Sequence, residues 1–139
     1  MENIILKLCS DDDLDLLTEL NRQLIEDEGH DNPMNNIALK ERMRQFIHTH
    51  YKAFLFYHGS YLVGYALVDV NRKPLYLRHF FICRPFRRNG YGTMAFHKLM
   101  EWFGTREIDI EVLSWNTRGI QFWRSLGFQD RSIYMRYSK

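Results

Sequence analysis

The sequence contains few cysteines, few prolines and almost no excess of charge. Two cysteines and three prolines occur among 139 residues, and the formal net charge is +2. Cys9 and Cys83 lack the paired spacing of a metal site or of a disulfide framework, so we expect two reduced thiols, no bound metal and a cytoplasmic protein. A charge so close to zero also argues against a nucleic acid as partner.

Long hydrophobic runs are also missing. No apolar stretch approaches the roughly 20 residues that cross a bilayer, so no membrane partner is expected. Apolar residues are nevertheless frequent: 45% of the chain is hydrophobic and 15% is aromatic. Disordered chains are poor in both classes. A chain of this length and composition is expected to fold as one domain, residues 1–139, around its own core.

Hydrophobic periodicity predicts alternating helices and strands. Apolar residues recur at helical spacing after Ser10, a typical N-cap, and this helix should end at Gly29. Further along, the period changes to that of strands and then alternates. In chain order the expected elements are a strand at 4–8, helices at 11–28 and 36–48, strands at 53–57, 61–70 and 75–82, a helix at 91–103, a strand at 108–113, a helix at 117–126 and a last strand at 132–137.

A glycine-rich segment joins the strand 75–82 to the helix 91–103. Its sequence is Arg87-Arg88-Asn89-Gly90-Tyr91-Gly92-Thr93. Glycine allows the backbone to approach a ligand closely, and the first N–H groups of a helix have no partner within it. The spacing Arg-x-x-Gly-x-Gly differs from the dinucleotide fingerprint and from the P-loop. We therefore expect a phosphate-binding turn of another kind.

This turn and a second block resemble the GNAT superfamily of N-acetyltransferases. The second block is a strand at 108–113, Asn116, the aromatic pair Phe122-Trp123 and a closing Gly127-Phe128. The likeness covers the chain well from residue 54 onward. It implies an α/β (α+β) GNAT fold, with a mixed central sheet of six to seven strands flanked by about four helices in the order β-α-α-β-β-β-α-β-α-β. It also implies acetyl transfer from acetyl-CoA to a primary amine by direct attack.

The resemblance also suggests where CoA binds. The strand before the turn should bond pantetheine through its backbone, with the Ile82 amide as the expected oxyanion donor and Phe81 as the next candidate. Asn116 should contact the pantetheine arm, cap the following helix, or do both. The cofactor-binding residues expected by resemblance are Phe80, Phe81, Ile82, Arg87, Arg88, Asn89, Gly90, Tyr91, Gly92, Thr93, Asn116 and Trp123.

Two positions depart from the family pattern. Trp123 stands where many members carry a tyrosine that protonates the leaving thiolate, and indole cannot supply a proton, so we consider Tyr134 in the last strand as a substitute. The strand before the turn lacks the glutamate that serves several members as general base. His79 is a candidate because imidazole titrates near neutral pH. On strict strand alternation, either His79 or Arg78 faces the cleft, but not both.

The acceptor is less well defined. Glu26 and Glu28 end the first helix, where their charges would hold an amine, and Arg78 favours an acceptor that also carries a carboxylate or phosphate. The acceptor is then a small-molecule or protein amine. A homodimer through the aromatic last strand, with Tyr134 and Tyr137, is a further expectation. Because the usual tyrosine and glutamate are absent, an acyl-CoA-binding regulatory or sensor module with little turnover is the alternative.

Overall fold

A single five-stranded sheet forms the centre of the protein. A computed structural model describes residues 3–29 and 31–139. The strands lie in the order β1-β2-β3-β4-β5; β1 to β4 are antiparallel neighbours, whereas β4 and β5 are parallel. Their bounds are Ile5–Leu8 (β1), Tyr51–His58 (β2), Tyr61–Asp69 (β3), Leu75–Ile82 (β4) and Ile108–Ile110 (β5).

Helices cover both faces of this sheet. Ser10 and Asp13 form a capping box on a short 3-10 turn that leads into α1, and Gly29 ends α1 with a φ of 61°. Glycine suits this left-handed position because it has no Cβ. The sequence therefore predicted the end of this helix correctly. The helices are Leu14–Glu28 (α1), Asn36–Ile47 (α2), Tyr91–Phe103 (α3) and Thr117–Ser125 (α4).

The sheet separates two hydrophobic cores. One core joins α1 and α2 to the side chains of Leu55, Tyr65 and Phe81. The other joins α3 and α4 to the opposite face, with Phe54 and Phe56 at its centre. Alternation along the strands produces this division because successive side chains point to opposite faces. The helices of the described ranges include none that is long and apolar enough to span a membrane.

The expected last strand is absent, and this corrects the predicted strand number. Among residues 3–29 and 31–139 the sheet has five strands rather than six to seven, and residues 128–139 form no regular element. Tyr134 and Tyr137 are 80% and 84% exposed. A strand requires hydrogen bonds to a neighbour, whatever its sequence pattern. The strand at this edge of the sheet, β5, is only three residues long. The segment instead contacts the loop between α1 and α2, where the Arg136 guanidinium lies 3.4 Å from the Asp31 carboxylate.

Candidate functional site

The candidate site is a cleft that opens where β4 and β5 separate. The two strands pair only as far as Leu77 and Ile110. Beyond this point β4 continues to Ile82, and within the described residues no strand pairs with its β5 side. Backbone N–H and C=O groups there are available to a ligand, because strand amides otherwise need a partner. The parallel pair thus provides a slot lined by main-chain groups.

A β-bulge at Arg78 bends β4 at the start of the cleft. Leu67 pairs with His79 and Val68 with Leu77, which leaves Arg78 unpaired with β3. A bulge breaks strict alternation. Arg78 and His79 consequently lie on the same face: the guanidinium carbon of Arg78 is 5.0 Å from the ring centroid of Phe46, and the His79 ring is 6.2 Å from it. The prediction that only one of them faces the cleft is wrong.

The direction of the β4 amides distinguishes Ile82 from Phe81. The N–H of Cys83 donates to the carbonyl of Val63 on β3, at 2.8 Å. Amide direction alternates along a strand, so the N–H of Phe81 also faces β3. The N–H groups of Phe80 and Ile82 face the open side. The Ile82 carbonyl accepts a 2.8 Å hydrogen bond from Nε of Arg87, which braces this end of the strand.

The glycine-rich turn places the uncapped N-terminus of α3 beside the cleft. α3 begins at Tyr91, and neither a side-chain cap nor an acidic residue occupies its start. The turn contains two left-handed residues, Arg88 with a φ of 66° and Gly90 with a φ of 79°. Non-glycine residues rarely adopt such values, and they concentrate at functional sites. The first N–H groups of α3 are therefore oriented for an anion.

Gly92 and Tyr91 have packing contacts within this turn. A Cβ on Gly92 would lie 3.2 Å from the ring of Phe122, so glycine here permits close contact between α3 and α4. The hydroxyl of Tyr91 lies 3.0 Å from Nδ1 of His58. Asn89 and Thr93 are exposed. The need for glycine at position 92 thus arises from helix packing rather than from the space in front of the helix.

Two arginines near the turn are bound to α1. Arg87 lies 2.5 Å from a carboxylate oxygen of Asp27, and Arg84 also pairs with Asp27. Burial alone would raise the pKa of Asp27, but hydrogen bonds from both arginines outweigh it and lower the pKa below its ordinary value. The Arg87 side chain therefore faces α1 and β4. Any anion at the turn would therefore meet mainly backbone N–H groups.

A cavity of about 40 Å³ lies on the α1 side of the cleft. It is large enough for water, which needs roughly 10–15 Å³. It brings together residues that are far apart in the sequence, and the sequence analysis missed one of them, Glu111. The only signal was its place in the expected strand 108–113, shortly before Asn116. The polar and aromatic residues on its walls are Glu28, Arg78, His79, Phe80, Glu111, Asn116 and Trp123.

Glu26 and Tyr134 lie away from the cavity, whereas Trp123 lines it and also packs in the core. Glu26 is exposed and pairs with Arg22 and Arg84 on the outer side of α1. Tyr134 is 80% exposed and does not line the cavity. Trp123 packs edge-on against Phe80 with ring centroids 5.1 Å apart, so the indole also belongs to the hydrophobic core.

A buried polar network holds His79. The hydroxyl of Tyr65 lies 3.1 Å from Nδ1 of His79 and 3.3 Å from Oδ1 of Asn21. Tyr65 and Asn21 are completely buried, and burial raises the pKa of Tyr65 well above its ordinary value. The Tyr65 hydroxyl thus stays protonated and fixes the imidazole. Sequence reasoning missed this network because its members come from α1, β3 and β4.

Asn116 caps α4, as one of the two sequence interpretations predicted. Its Oδ1 accepts a 3.0 Å hydrogen bond from the N–H of Gly119, while the residue also lines the cavity. Asn116→Ala is expected to lower the free energy of unfolding by about 1 kcal/mol, because the cap is lost. We expect the KM for acetyl-CoA to rise as well, because the amide group no longer reaches the cleft. Urea unfolding and initial rates measure the two effects.

Asn116→Asp is the matched control for these two roles. Aspartate is as good an N-cap as asparagine, but it has no N–H to donate. Its stability should stay near that of the unaltered protein while the KM for acetyl-CoA still rises. An unchanged KM in both variants would contradict a contact with the cofactor and leave only the cap.

The sequence also matches the model of a protein family. The model described as acetyltransferase (GNAT) family matches residues 14–128, which is most of the chain. The chain belongs to the GNAT acetyltransferase family. The matched region contains the splayed strands, the glycine-rich turn and the capped helix α4. No curated protein matches the sequence.

Solved structures of acetyltransferases share the fold at low sequence identity. A possible acetyltransferase from Clostridium difficile 630 has a TM-score of 0.77 and 15% identity, covering 99% of this chain and 98% of its own. The aminoglycoside N-acetyltransferase AAC(6')-Iy in complex with CoA has a TM-score of 0.76 and 18% identity, covering 100% and 96%. A protein described as a predicted acetyltransferase, from Clostridium acetobutylicum and in complex with acetyl-CoA, has a TM-score of 0.73 and 13% identity, covering 97% and 96%.

Proposed function

We propose that this GNAT protein transfers an acetyl group from acetyl-CoA to a primary amine by direct attack. The observation that carries the proposal is the unpaired end of β4, where the Ile82 N–H faces a cleft next to the uncapped start of α3. One end of the cleft suits a thioester carbonyl and the other suits a pyrophosphate. The complexes of AAC(6')-Iy with CoA and of the Clostridium acetobutylicum protein with acetyl-CoA support this cofactor.

The cofactor is expected to bind mainly through main-chain groups. The N–H groups of residues 88–93 suit phosphate oxygens, because the turn and the helix start direct them to one point. Pantetheine then runs along the open edge of β4, past Phe80 and Ile82, with Asn116 on the opposite side. Arg87 contributes by bracing this edge through the Ile82 carbonyl. Its contact with phosphate remains a prediction.

The Ile82 amide is the oxyanion donor in this proposal. The amine nitrogen attacks the thioester carbon, the carbonyl oxygen gains negative charge, and the C–S bond then breaks to release the CoA thiolate. A positioned donor of this kind typically lowers the activation barrier by about 3 kcal/mol. The amide of Phe81 faces β3, so the geometry favours Ile82 over Phe81.

The charges around the cleft favour a cationic acceptor that also carries an anionic group. Glu28 and Glu111 supply negative charge, and Arg78 supplies positive charge at the rim between Phe46 and Tyr51. Aminoglycosides are the substrates named for AAC(6')-Iy, and sisomicin is bound in an aminoglycoside acetyltransferase from a soil metagenome. Amino acids and peptides, which carry both charges, form the first acceptor panel, together with aminoglycosides because of these two structures.

Turnover with that panel is the test of the proposed function. The protein should release CoA thiol from acetyl-CoA only when an amine is present, with an acetylated product detected by mass spectrometry. CoA binding by calorimetry without turnover on any amine would instead favour the alternative, an acyl-CoA-binding regulatory or sensor module. A cytoplasmic location and a homodimer belong to the same proposal, and sedimentation equilibrium tests the dimer.

Tyr134 provides a separate test of how the thiolate leaves. As a general acid it would contribute about 10²-fold or more, so Tyr134→Phe would slow turnover about a hundredfold. Its 80% exposure in the C-terminal segment favours the opposite result, turnover within threefold of the unaltered protein. We expect the second outcome, because a CoA thiol is acidic enough to leave without a strong donor. Steady-state kcat with saturating acetyl-CoA separates them.

A further inference from the structure

Three consecutive acids at the end of α1 have very different surroundings. Glu26 is 3.0 Å from Arg22 and also pairs with Arg84. Asp27 is neutralised by Arg84 and by Arg87, 57 and 60 residues further along the chain. Glu28 alone faces the cavity, and within residues 3–29 and 31–139 its carboxylate has no hydrogen bond or ion pair. An unpaired, half-buried carboxylate in a cleft requires an explanation.

The backbone at Glu28 is held firmly. The indole N–H of Trp115, in the loop between β5 and α4, donates a 2.9 Å hydrogen bond to the Glu28 carbonyl. Gly29 then closes the helix in the left-handed conformation, directly beside the Trp115 ring. The end of α1 is thus tied to the loop that carries Asn116. The backbone that carries the Glu28 carboxylate is thus fixed relative to the cleft, which helps to position a proton acceptor.

Among the titratable groups around the cavity, Glu28 is the best placed to act as a base. Arg78 and His79 approach from β4, Glu111 follows β5, and the buried Tyr65 on β3 interacts electrostatically with Glu28. Nδ1 of His79 is engaged by Tyr65. Glu111 is exposed and accepts a 3.2 Å hydrogen bond from Tyr76. Arg42 on α2 faces Tyr65 and Arg78 rather than Glu28.

Burial, together with the negative charge of Asp27, raises the pKa of Glu28 above its ordinary value of 4.5. A carboxylate with a raised pKa accepts a proton more readily near neutral pH, since a general base works best when its pKa approaches the working pH. The cavity also has room for water between the carboxylate and an amine. A water-mediated proton path is therefore open to Glu28.

We propose that Glu28 is the general base that removes the ammonium proton of the acceptor, directly or through one water. This inference rests on the proposed function. The substrate ammonium loses one proton to the Glu28 carboxylate, and the neutral nitrogen attacks the thioester carbon. The C–S bond breaks, the second nitrogen proton passes to the thiolate, and Glu28 releases its proton to solvent. The products are the acetamide, CoA thiol and one proton.

The test compares Glu28→Gln with Glu19→Gln, an exposed glutamate of the same helix that is paired with Arg22. Glu28→Gln should lower kcat/KM for the amine at least 10²-fold, as expected for loss of a general base. The acid limb of its pH–rate profile should disappear, while the Kd for CoA measured by calorimetry stays unchanged. Glu19→Gln should keep the unaltered rate and the acid limb.

A melting experiment checks the environment of Glu28 without using activity. The pKa of Glu28 is higher in the folded protein than in the unfolded chain, so the folded protein loses stability as the pH rises from 4.5 through the folded pKa. Below pH 4.5, Glu28 is protonated in both the folded and the unfolded protein, and no stability is lost. Glutamine does not ionise. Glu28→Gln should therefore melt at a higher temperature than the unaltered protein at pH 7–8, and the difference should vanish in acid.

The possible results separate the two proposals. If the unaltered protein is active while Glu28→Gln turns over within threefold of it, or keeps its acid limb, the base assignment is wrong and the proposed function stands. If the unaltered protein acetylates no amine, the proposed function fails and the base assignment fails with it. A Glu28→Gln protein with lower melting temperature at pH 8 would also count against an unpaired carboxylate there.

Discussion

Gly64→Ala is expected to lower the free energy of unfolding by about 2–3 kcal/mol, the upper range for overpacking a tightly packed site. Gly64 on β3 faces Ile82 on β4, and a Cβ there would overlap the Phe81 carbonyl oxygen and lie 3.1 Å from Cα of Ile82. Both contacts are with backbone, which cannot rotate away. The end of β4 must therefore move, although glycine-to-alanine changes inside strands are ordinarily stabilising.

The same displacement should reduce activity. It moves the Ile82 amide, and misplacing a catalytic group by about 1 Å can cost around 10²-fold in rate. Urea unfolding measures the loss of stability, and kcat measured well below the melting temperature measures the loss of rate. A Gly64→Ala protein with unaltered stability and rate would show that the close approach of β3 and β4 is unimportant to the site.

Gly90→Ala is expected to weaken CoA binding at least tenfold, equivalent to about 1.4 kcal/mol. Gly90 precedes α3 with a φ of 79°, and a Cβ built on it meets no atom within 4 Å. Gly90 directly precedes the unpaired N–H groups of α3 to which we assign the pyrophosphate. A methyl group there obstructs the phosphate, and the left-handed conformation adds a cost of about 1–2 kcal/mol to the folded loop.

Gly59→Ala is the matched control for this effect. Gly59, in the turn between β2 and β3, also has a positive φ, 61°, and a Cβ on it also meets no atom within 4 Å. Both variants should therefore lose similar stability, while calorimetry should detect weaker CoA binding only for Gly90→Ala. Equal CoA affinity in the two variants would remove the pyrophosphate from this turn.

Local sequence signals predicted most of the elements. The helix expected at 91–103 is confirmed as α3, and Gly29 ends α1 as expected. Such signals work because a helix depends on hydrogen bonds between near neighbours and on capping residues at its ends. The prediction of a last strand was wrong because a strand, unlike a helix, depends on hydrogen bonds to residues distant in the sequence. The segment 132–137 has strand-like residues, but its hydrogen-bond partner would lie elsewhere in the chain or in another chain.

The sequence by itself thus determined the order of helices and strands as far as α4, the glycine-rich turn and the family resemblance, because each depends on residues close together in the chain. Only the tertiary structure decided which side chains face the cleft. The bulge at Arg78 placed it on the same face as His79, and arginines from a distant turn neutralised Asp27 but not Glu28. Alternation cannot anticipate a bulge, and spacing cannot pair charges about sixty residues apart. These choices arise from packing α1 against the splayed strands.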